Sequence, residues 1–462
     1  MAMSLIADEK DAGRGAGPAR IFLVALTIRW CYALALYLFM GDRGLTSEDS
    51  LTYLRTAHEF LDAVSANEVH GLGWLGLDPW LMPLFYWCIV AFVAVFGALA
   101  PIAYVLMQGV LDAATCVVIF HIAQAINPDY ARKAGWCSVF NPTQIILSGI
   151  FFTDTPFLFF ASLSLLGCLR WLHSSSRNAA VLIVVGTCGA FFVRVLIAPW
   201  MLVIFLFLAV AGLLRGRRSV TDFIRLCGVG ALMALCVGAV VVRNAAQFGA
   251  FSLTPQGGYH LALWVVPLIK EAQDRTPWAE TFDELRRQRQ DRYGDPPKNQ
   301  FELARQLRTV AQPEIEKLTL GATAKAWFTG IALNLVSPST LISPPVYYLP
   351  RTGFYATPGA SLLDKCLNFL FHSGNALHAW ITLIGVAGLL AARVVQLAGI
   401  FEVVRQRENF WPAAFCFLWV MYILAVNGPI ASPKYRLPIE PVLMVACGAG
   451  LHRLSRSRSV TA

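Results

Sequence analysis

The sequence predicts an all-α polytopic membrane protein, and three observations carry that reading. Hydrophobic residues make up 57% of the 462 residues and charged residues only 14%, against ~25% charged in an average soluble domain. Windows of 18 or more apolar residues recur along the chain, the length a helix needs to cross a bilayer core. These runs are continuous rather than alternating, which excludes a β-barrel. The net charge of +9 does not call for nucleic acid. The excess lies in short loops and at the C-terminus, as the positive-inside rule expects.

Taken in order, residues 1–20 read as a polar cytoplasmic arm. The first span is 21–40, too long and too acid-flanked for a cleavable signal peptide. Residues 41–78 form a first external loop. Within it, 48–64 has helical spacing, with Leu51, Leu54, Ala57, Phe60 and Leu61 on one face, as an interfacial amphipathic helix would have. Trp74 and Trp80 suit the headgroup level.

Apolar stretches follow at 80–100 and 101–126, then the basic Arg132-Lys133, then 134–150, the polar step Thr153-Asp154-Thr155-Pro156, and 157–172. Residues 179–214 are long enough for two spans, broken near Arg194 and Pro199. Arg215, Arg217 and Arg218 mark an inside loop, and 223–242 returns outward. With the basic loops inside, 80–126 must cross an odd number of times although it looks like two spans. One of the two is therefore expected to be re-entrant, broken or short. The N-terminal transmembrane module is 21–243.

Of the 37 Lys and Arg and 28 Asp and Glu, 21 fall between 270 and 325. This is the one soluble-looking stretch, with helical patterns at 282–293 and 300–310. It sits inside an external loop region, 244–372, whose Pro- and aromatic-rich end leaves open whether it holds a span. Spans at 376–397, 410–426 and 437–454 make up the C-terminal module, 373–454. The basic residues 455–462 read as a cytoplasmic tail, so both termini lie inside. The eleven cysteines are scattered, mostly in apolar runs, with no CxxC or Cys/His cluster. They read as buried small hydrophobes rather than a disulfide framework or a zinc site.

Few residues could carry chemistry. Glu48 and Asp49 sit where the first span emerges, and a carboxylate at a membrane boundary is costly unless it faces a cavity or caps a helix. Asp154 is a second external acid at the head of an apolar run. Arg243-Asn244 ends a span, followed by Phe248-Gly249 and by Gly257-Gly258, a pair that would let backbone approach a ligand closely, then His260. Ser432-Pro433-Lys434-Tyr435-Arg436-Leu437-Pro438 stands at the external end of the last span. That is the wrong side for positive charge, so Lys434 and Arg436 want an anionic partner or reach lipid headgroups. Arg194 reads as a span boundary or a cavity residue. The histidines show no metal-ligand spacing.

These residues resemble, in order from about residue 45 to 442, the motifs of the GT-C glycosyltransferase superfamily. The branch is that of bacterial relatives of protein mannosyltransferases and of the enzymes that add aminoarabinose to lipid A. The pattern after the first span is matched by Asp49-Ser50 with Tyr53 and Ala57. The second external acid is matched by Asn141-Pro142 through Asp154. The middle pattern is matched by Arg243-Asn244, Phe248-Gly249 and Gly257-Gly258, and the last by Lys434-Tyr435-Arg436-Leu437-Pro438 with Pro441. Lys434 stands where the family has Arg. A Pro-Pro usual near the second span reads Asp78-Pro79 here, which makes Asp78 a further acidic candidate.

The resemblance implies a GT-C-like bundle of about 10–12 transmembrane helices with external interfacial helices and a small external helical region. It implies an inverting transferase in a bacterial inner membrane, with its site on the periplasmic face. The donor would be a polyprenyl-phosphate sugar and the acceptor a lipid, an envelope glycan or a protein. Asp49 would be the general base, with Glu48 and Asp154 beside it. Arg436, Lys434, Tyr435 and Arg243 would hold the donor phosphate. Tyr53, Asp78, Asn244, Gly257, Gly258 and His260 would line the substrate site. No cofactor is implied, and a divalent ion between Asp49 and Asp154 is left open. The reading from another class is a transporter or flippase of lipid-linked glycans, which would place charged residues within the spans.

Overall fold

The computed structural model describes residues 16–461 apart from Leu77, Arg217, Arg218, Arg351 and Ser373. Most of the N-terminal arm and two of the expected inside arginines therefore lie outside the described residues. Regular structure is helical throughout, with no strand among the described residues. Seven helical stretches there are long and apolar enough to cross a membrane: 17–44, 83–126, 154–173, 195–214, 220–248, 376–405 and 407–427.

Helix α1 (Ala16–Met40) ends in a tight turn that leads into α2 (Glu48–Ser65). Ser47 caps α2 and accepts a bond from the Ser50 backbone N–H, while Ser50 Oγ accepts from the Ser47 backbone N–H. Ser50 Oγ then donates to the Phe151 carbonyl at 2.7 Å. The start of α2 is thereby fixed three residues short of Asp154. Ala57 and Phe60 are buried as the spacing predicts, and Thr56 is buried with them, but Leu51 is exposed.

Helix α3 (Pro83–Phe96) has 14 residues, about 21 Å at the usual rise and short of a ~30 Å bilayer core. Gly97, at φ +52°, breaks the chain before α4 (Ala100–Ile126), whose 27 residues span about 40 Å. The Phe85 and Phe92 rings both meet the Tyr104 ring, so α3 folds back along α4. Of the pair, α4 has spanning length and α3 does not.

The stretch 134–150 is not one span. It breaks at Asn141-Pro142 into α5 (Pro128–Val139) and α6 (Pro142–Ser148). Such a break frees backbone carbonyls that lipid cannot satisfy. Arg29 of α1 supplies the donors: its guanidinium bonds the carbonyls of Ser138 and Val139. Its charge is balanced by Asp112 of α4 at 2.7 Å, and Gln144 donates to the other Asp112 oxygen at 3.1 Å.

Helices α7 (Asp154–His173) and α8 (Arg177–Val193) pack closely through small residues; a Cβ at Gly167 would lie 2.6 Å from the Ile183 nitrogen. Arg194 opens the chain between α8 and α9 (Ala198–Leu214). Helix α10 (Val220–Phe248) ends on Gly249 in the left-handed region. The segment expected outside is α11 (Gln256–His260), a wide π turn, α12 (Val266–Asp274), α13 (Trp278–Tyr293) and α14 (Gln300–Ile315). It has its own core, built from Leu263, Val266, Leu285, Leu307 and Val310.

Then come α15 (Leu320–Val336), α16 (Pro344–Tyr347) and α17 (Leu362–Phe371). No described helix in 326–372 has spanning length and apolarity. Lys365 of α17 pairs with Glu271 of α12 at 2.6 Å, tying the two segments together. Helices α18 (Ala376–Arg405), α19 (Phe410–Asn427) and α20 (Glu440–Thr461) complete the bundle. The tail expected from residue 455 is a continuation of α20.

Candidate active site

Four segments distant in sequence bring their charges together at one end of the bundle. Asp49 lies in the first turn of α2, and Asp154 opens α7. Arg194 stands at the kink between α8 and α9, and Lys434 lies in the 3-10 stretch Pro433–Ile439 before α20. Lys434 Nζ donates to Asp49 Oδ2 at 2.9 Å and sits 5.2 Å from the centre of the Phe152 ring. Arg194 donates to Asp154 Oδ1 at 2.7 Å. The two acids differ in access: the Asp49 side chain is 48% exposed and the Asp154 side chain 3%. Asp49 is the one a substrate can reach.

Tyr53, one helical turn beyond Asp49, lies within the field of Asp49, Lys434, Arg194 and Asp154, and burial pushes its phenol up. His260, at the end of α11, is close enough to feel Lys434, Arg194 and Asp49. Burial and the two cations push its imidazole down, against the pull of Asp49, so the ring is neutral at neutral pH. Burial alone would raise the Asp49 carboxyl. The cations beside it, Lys434 first and then Arg194, together outweigh burial and hold the acid below the usual carboxylate range. The cluster has two carboxylates, two cations and a neutral imidazole. Among the described residues no group of three or more His, Cys, Asp and Glu side chains is placed to hold a metal ion.

Other predicted residues fall elsewhere. Glu48 is exposed. Arg436 is 1% exposed, and its guanidinium faces inward. It pairs with Glu440 at 2.8 Å and donates to Thr143 Oγ1 and to the Asn334 and Ser337 carbonyls. The last two belong to the C-terminal end of α15, so Arg436 closes a helix end as Arg29 does. Its guanidinium is thus engaged with Glu440, Thr143, Asn334 and Ser337 within the protein. Tyr435 lies near Arg194 and Tyr355.

Arg243 is likewise turned into the protein. It donates to the Gly76 carbonyl at 3.0 Å, as does Gln247 at 2.9 Å. Gly76, at φ +105°, allows that carbonyl to point inward. Arg243 therefore clamps the first loop and is not placed among the donor cations. Asp78 caps the turn after this loop, accepting from the Trp80 N–H at 2.8 Å. Burial holds its carboxyl above the usual range. Asn244 donates to the Ser252 and Leu253 carbonyls and shapes the turn after α10. A Cβ at Gly258 would lie 2.7 Å from the Ala304 carbonyl oxygen, whereas Gly257 faces open space. The space beside Gly258 is filled by Ala304 of α14.

Sequence reasoning missed Arg194 as the partner of Asp154. The only signal was an arginine between two apolar runs, which does not say which acid it meets. It also missed Phe152 and the bond from Ser50 to Phe151.

No family model matches the chain, and no curated protein matches it. Among solved structures the chain is similar to ArnT from Cupriavidus metallidurans bound to undecaprenyl phosphate. The identity is 14% and the TM-score 0.35, and the alignment covers 96% of this chain and 78% of that one. The apo state of the same protein aligns at 15% identity and a TM-score of 0.35, with the same coverage. A likeness of this degree carries no argument about residue roles or substrate.

Proposed function

We propose that the chain is a membrane-embedded glycosyltransferase that moves a sugar from a polyprenyl-phosphate donor to a hydroxyl of a lipid, an envelope glycan or a protein. The observation that carries this is the contact between Asp49 and Lys434. They belong to the first and last of the motifs by which the sequence resembles the GT-C superfamily, 385 residues apart. The Asp154–Arg194 pair, Tyr53 and His260 surround the same point. The face is that of the first loop, read as periplasmic from the basic residues at the other ends of the spans.

The chemistry asked of these groups is an inverting displacement. An acceptor oxygen attacks the anomeric carbon and its proton passes to the Asp49 carboxylate. The bond from that carbon to the donor phosphate oxygen breaks, and the phosphate leaves with the electron pair. Lys434 and Arg194 are the cations within reach of that growing charge, which such contacts stabilise most in the transition state. A donor phosphate that draws Lys434 to itself frees Asp49 as the base. Lys434 thus keeps the donor-phosphate part that the resemblance gave to it along with Arg436, Tyr435 and Arg243. Neutral His260 offers a hydrogen bond to a sugar or acceptor hydroxyl.

A transporter reading has one feature in its favour, the Arg29–Asp112 pair inside the spans. Apart from Cys116, which Arg29 meets at 3.5 Å, that pair's partners are Ser138, Val139 and Gln144 at the break between α5 and α6, so the enzyme reading is better supported. Membranes holding wild type or Asp49→Asn at matched levels test it, with mass spectrometry of total lipids and envelope glycans. A hexose- or pentose-sized mass that disappears with the variant is the expected result. Identical sugar-bearing products from both would remove Asp49 as the base. No sugar-dependent difference even against a deletion strain would return the transporter reading.

A further inference from the structure

A second polar site lies at the other end of the bundle. Arg20 is in the first turns of α1, about 30 Å of helix from the Met40 end that leads to Asp49. Beside it, α5 and α20 enclose a cavity of 770 Å³ lined by Arg20, Arg132, Lys133, Trp136, Phe140 and Leu451 among others. Among the described residues three cations line it and no acid does. Asp129 is one turn back on α5, and its exposed carboxylate lies 3.9 Å from His452.

Arg20 and Arg132 are exposed. Lys133 Nζ donates to the Leu451 carbonyl and to Ser455 Oγ, which leaves one of its three donors. Burial first, and then the adjacent Arg132, push the Lys133 ammonium down against the pull of Asp129. Trp136 and Phe140 stack with ring centres 6.0 Å apart, and Phe140 is 60% exposed.

We propose that this cavity binds the headgroup of an anionic phospholipid. Guanidinium groups present paired donors to phosphate oxygens, and a basic cavity between helix ends at a membrane boundary fits a lipid phosphate. The Trp136–Phe140 plate stands beside it at the lipid-facing side, where the first methylenes of an acyl chain leave the headgroup. A zwitterionic headgroup would set its own cation against Arg20, Arg132 and Lys133, so the site prefers a lipid with net negative charge. This holds whatever the chemistry at Asp49.

The test is native mass spectrometry of the full chain in detergent with equal phosphatidylglycerol and phosphatidylcholine of the same acyl chains. Wild type is expected to retain phosphatidylglycerol at least about fivefold more, and Arg20→Gln/Arg132→Gln to lose about fivefold in affinity per cation removed. Arg287→Gln/Arg308→Gln removes the same charge from the external helices and should leave retention unchanged. Equal retention of the two lipids by wild type would overturn the proposal without recourse to any variant. So would equal losses in the two double variants, or release of phosphatidylglycerol by millimolar inorganic phosphate.

Discussion

Lys434 Nζ and Asp49 Oδ2 lie 2.9 Å apart, and this contact closes the chain's last external turn onto its first. It is half exposed, so it contributes at most about 1 kcal/mol to stability. Its importance is for the ionisation of Asp49. The Asp49 carboxyl is held below the usual carboxylate range. Whatever stability this gives is present above the unfolded-state value and is lost as pH falls through the folded-state value. Under the proposed mechanism the same ordering sets activity, because Asp49 must be ionised to act as the base. Lys434→Gln removes the dominant opposing charge and leaves burial to raise the acid. The acid limb of the rate–pH profile should move to higher pH, with kcat reduced. An unmoved limb would show that Asp49 is not the titrating base.

Asp49→Asn should lower transfer by about 10²–10⁴-fold, the range for a positioned general base, with thermal unfolding in detergent near that of wild type. Glu48→Gln should keep most activity, because its side chain is exposed beside the site. Transfer assays on both variants at matched protein levels separate the two neighbouring acids.

Asp154 and Arg194 behave differently because Asp154 is buried. Arg194→Gln leaves a buried carboxylate without its cation, which costs about 3–5 kcal/mol. The Asp154→Asn/Arg194→Gln double variant should recover much of that stability without recovering transfer. Thermal unfolding of the two single variants and the double variant closes the cycle.

How much of this was legible in the sequence follows from the range of the forces involved. The spans, the α2 cap at Ser47 and the external helices are local features, and apolar runs and capping residues report them directly. Asp49, Asp154 and Lys434 could be named because charge at a membrane boundary is unusual wherever it pairs. Their pairing could not be named. Arg194 and Arg436 are both arginines near span ends. Only the packing of α15 against the loop before α20 decides that Arg436 closes a helix end while Arg194 reaches Asp154. The break at Asn141-Pro142 was visible as a proline, but the side chain that satisfies it, Arg29, lies 110 residues from Val139. The shortness of α3 was signalled by the count of crossings and not by its own composition, which is as apolar as a span.

Arg436 and Lys434 stand two residues apart and should fail in different ways. Arg436→Gln unmakes the closure of α15 and leaves Glu440 buried with Asn141 as its remaining partner. Unfolding should come at a markedly lower temperature, with a loss on the order of 3–5 kcal/mol, and activity should fall with the folded fraction. Lys434→Gln should unfold near wild type while activity drops. Thermal unfolding and transfer measured on the same preparations decide the point. A stable, inactive Arg436→Gln would return that residue to the donor site.

The neighbouring glycines Gly257 and Gly258 separate open space from close packing. Gly257→Ala adds a methyl that meets nothing within 4 Å, whereas Gly258→Ala drives one against the Ala304 carbonyl of α14. Both residues are helical, so backbone strain is the same for each and only the neighbour differs. Gly258→Ala should cost about 1–3 kcal/mol, as overpacking does, and loosen α11 from α14. Because His260 ends α11, that loosening should also raise KM for an acceptor or donor that His260 touches. Gly257→Ala should stay within about 0.5 kcal/mol of wild type and retain its activity. Proteolysis of the external segment, read beside thermal unfolding, distinguishes the two. If Gly257→Ala instead abolished activity in a stable protein, the open side of that glycine would be a substrate surface, and the approach of a ligand to backbone read from the Gly-Gly pair would hold at its first member.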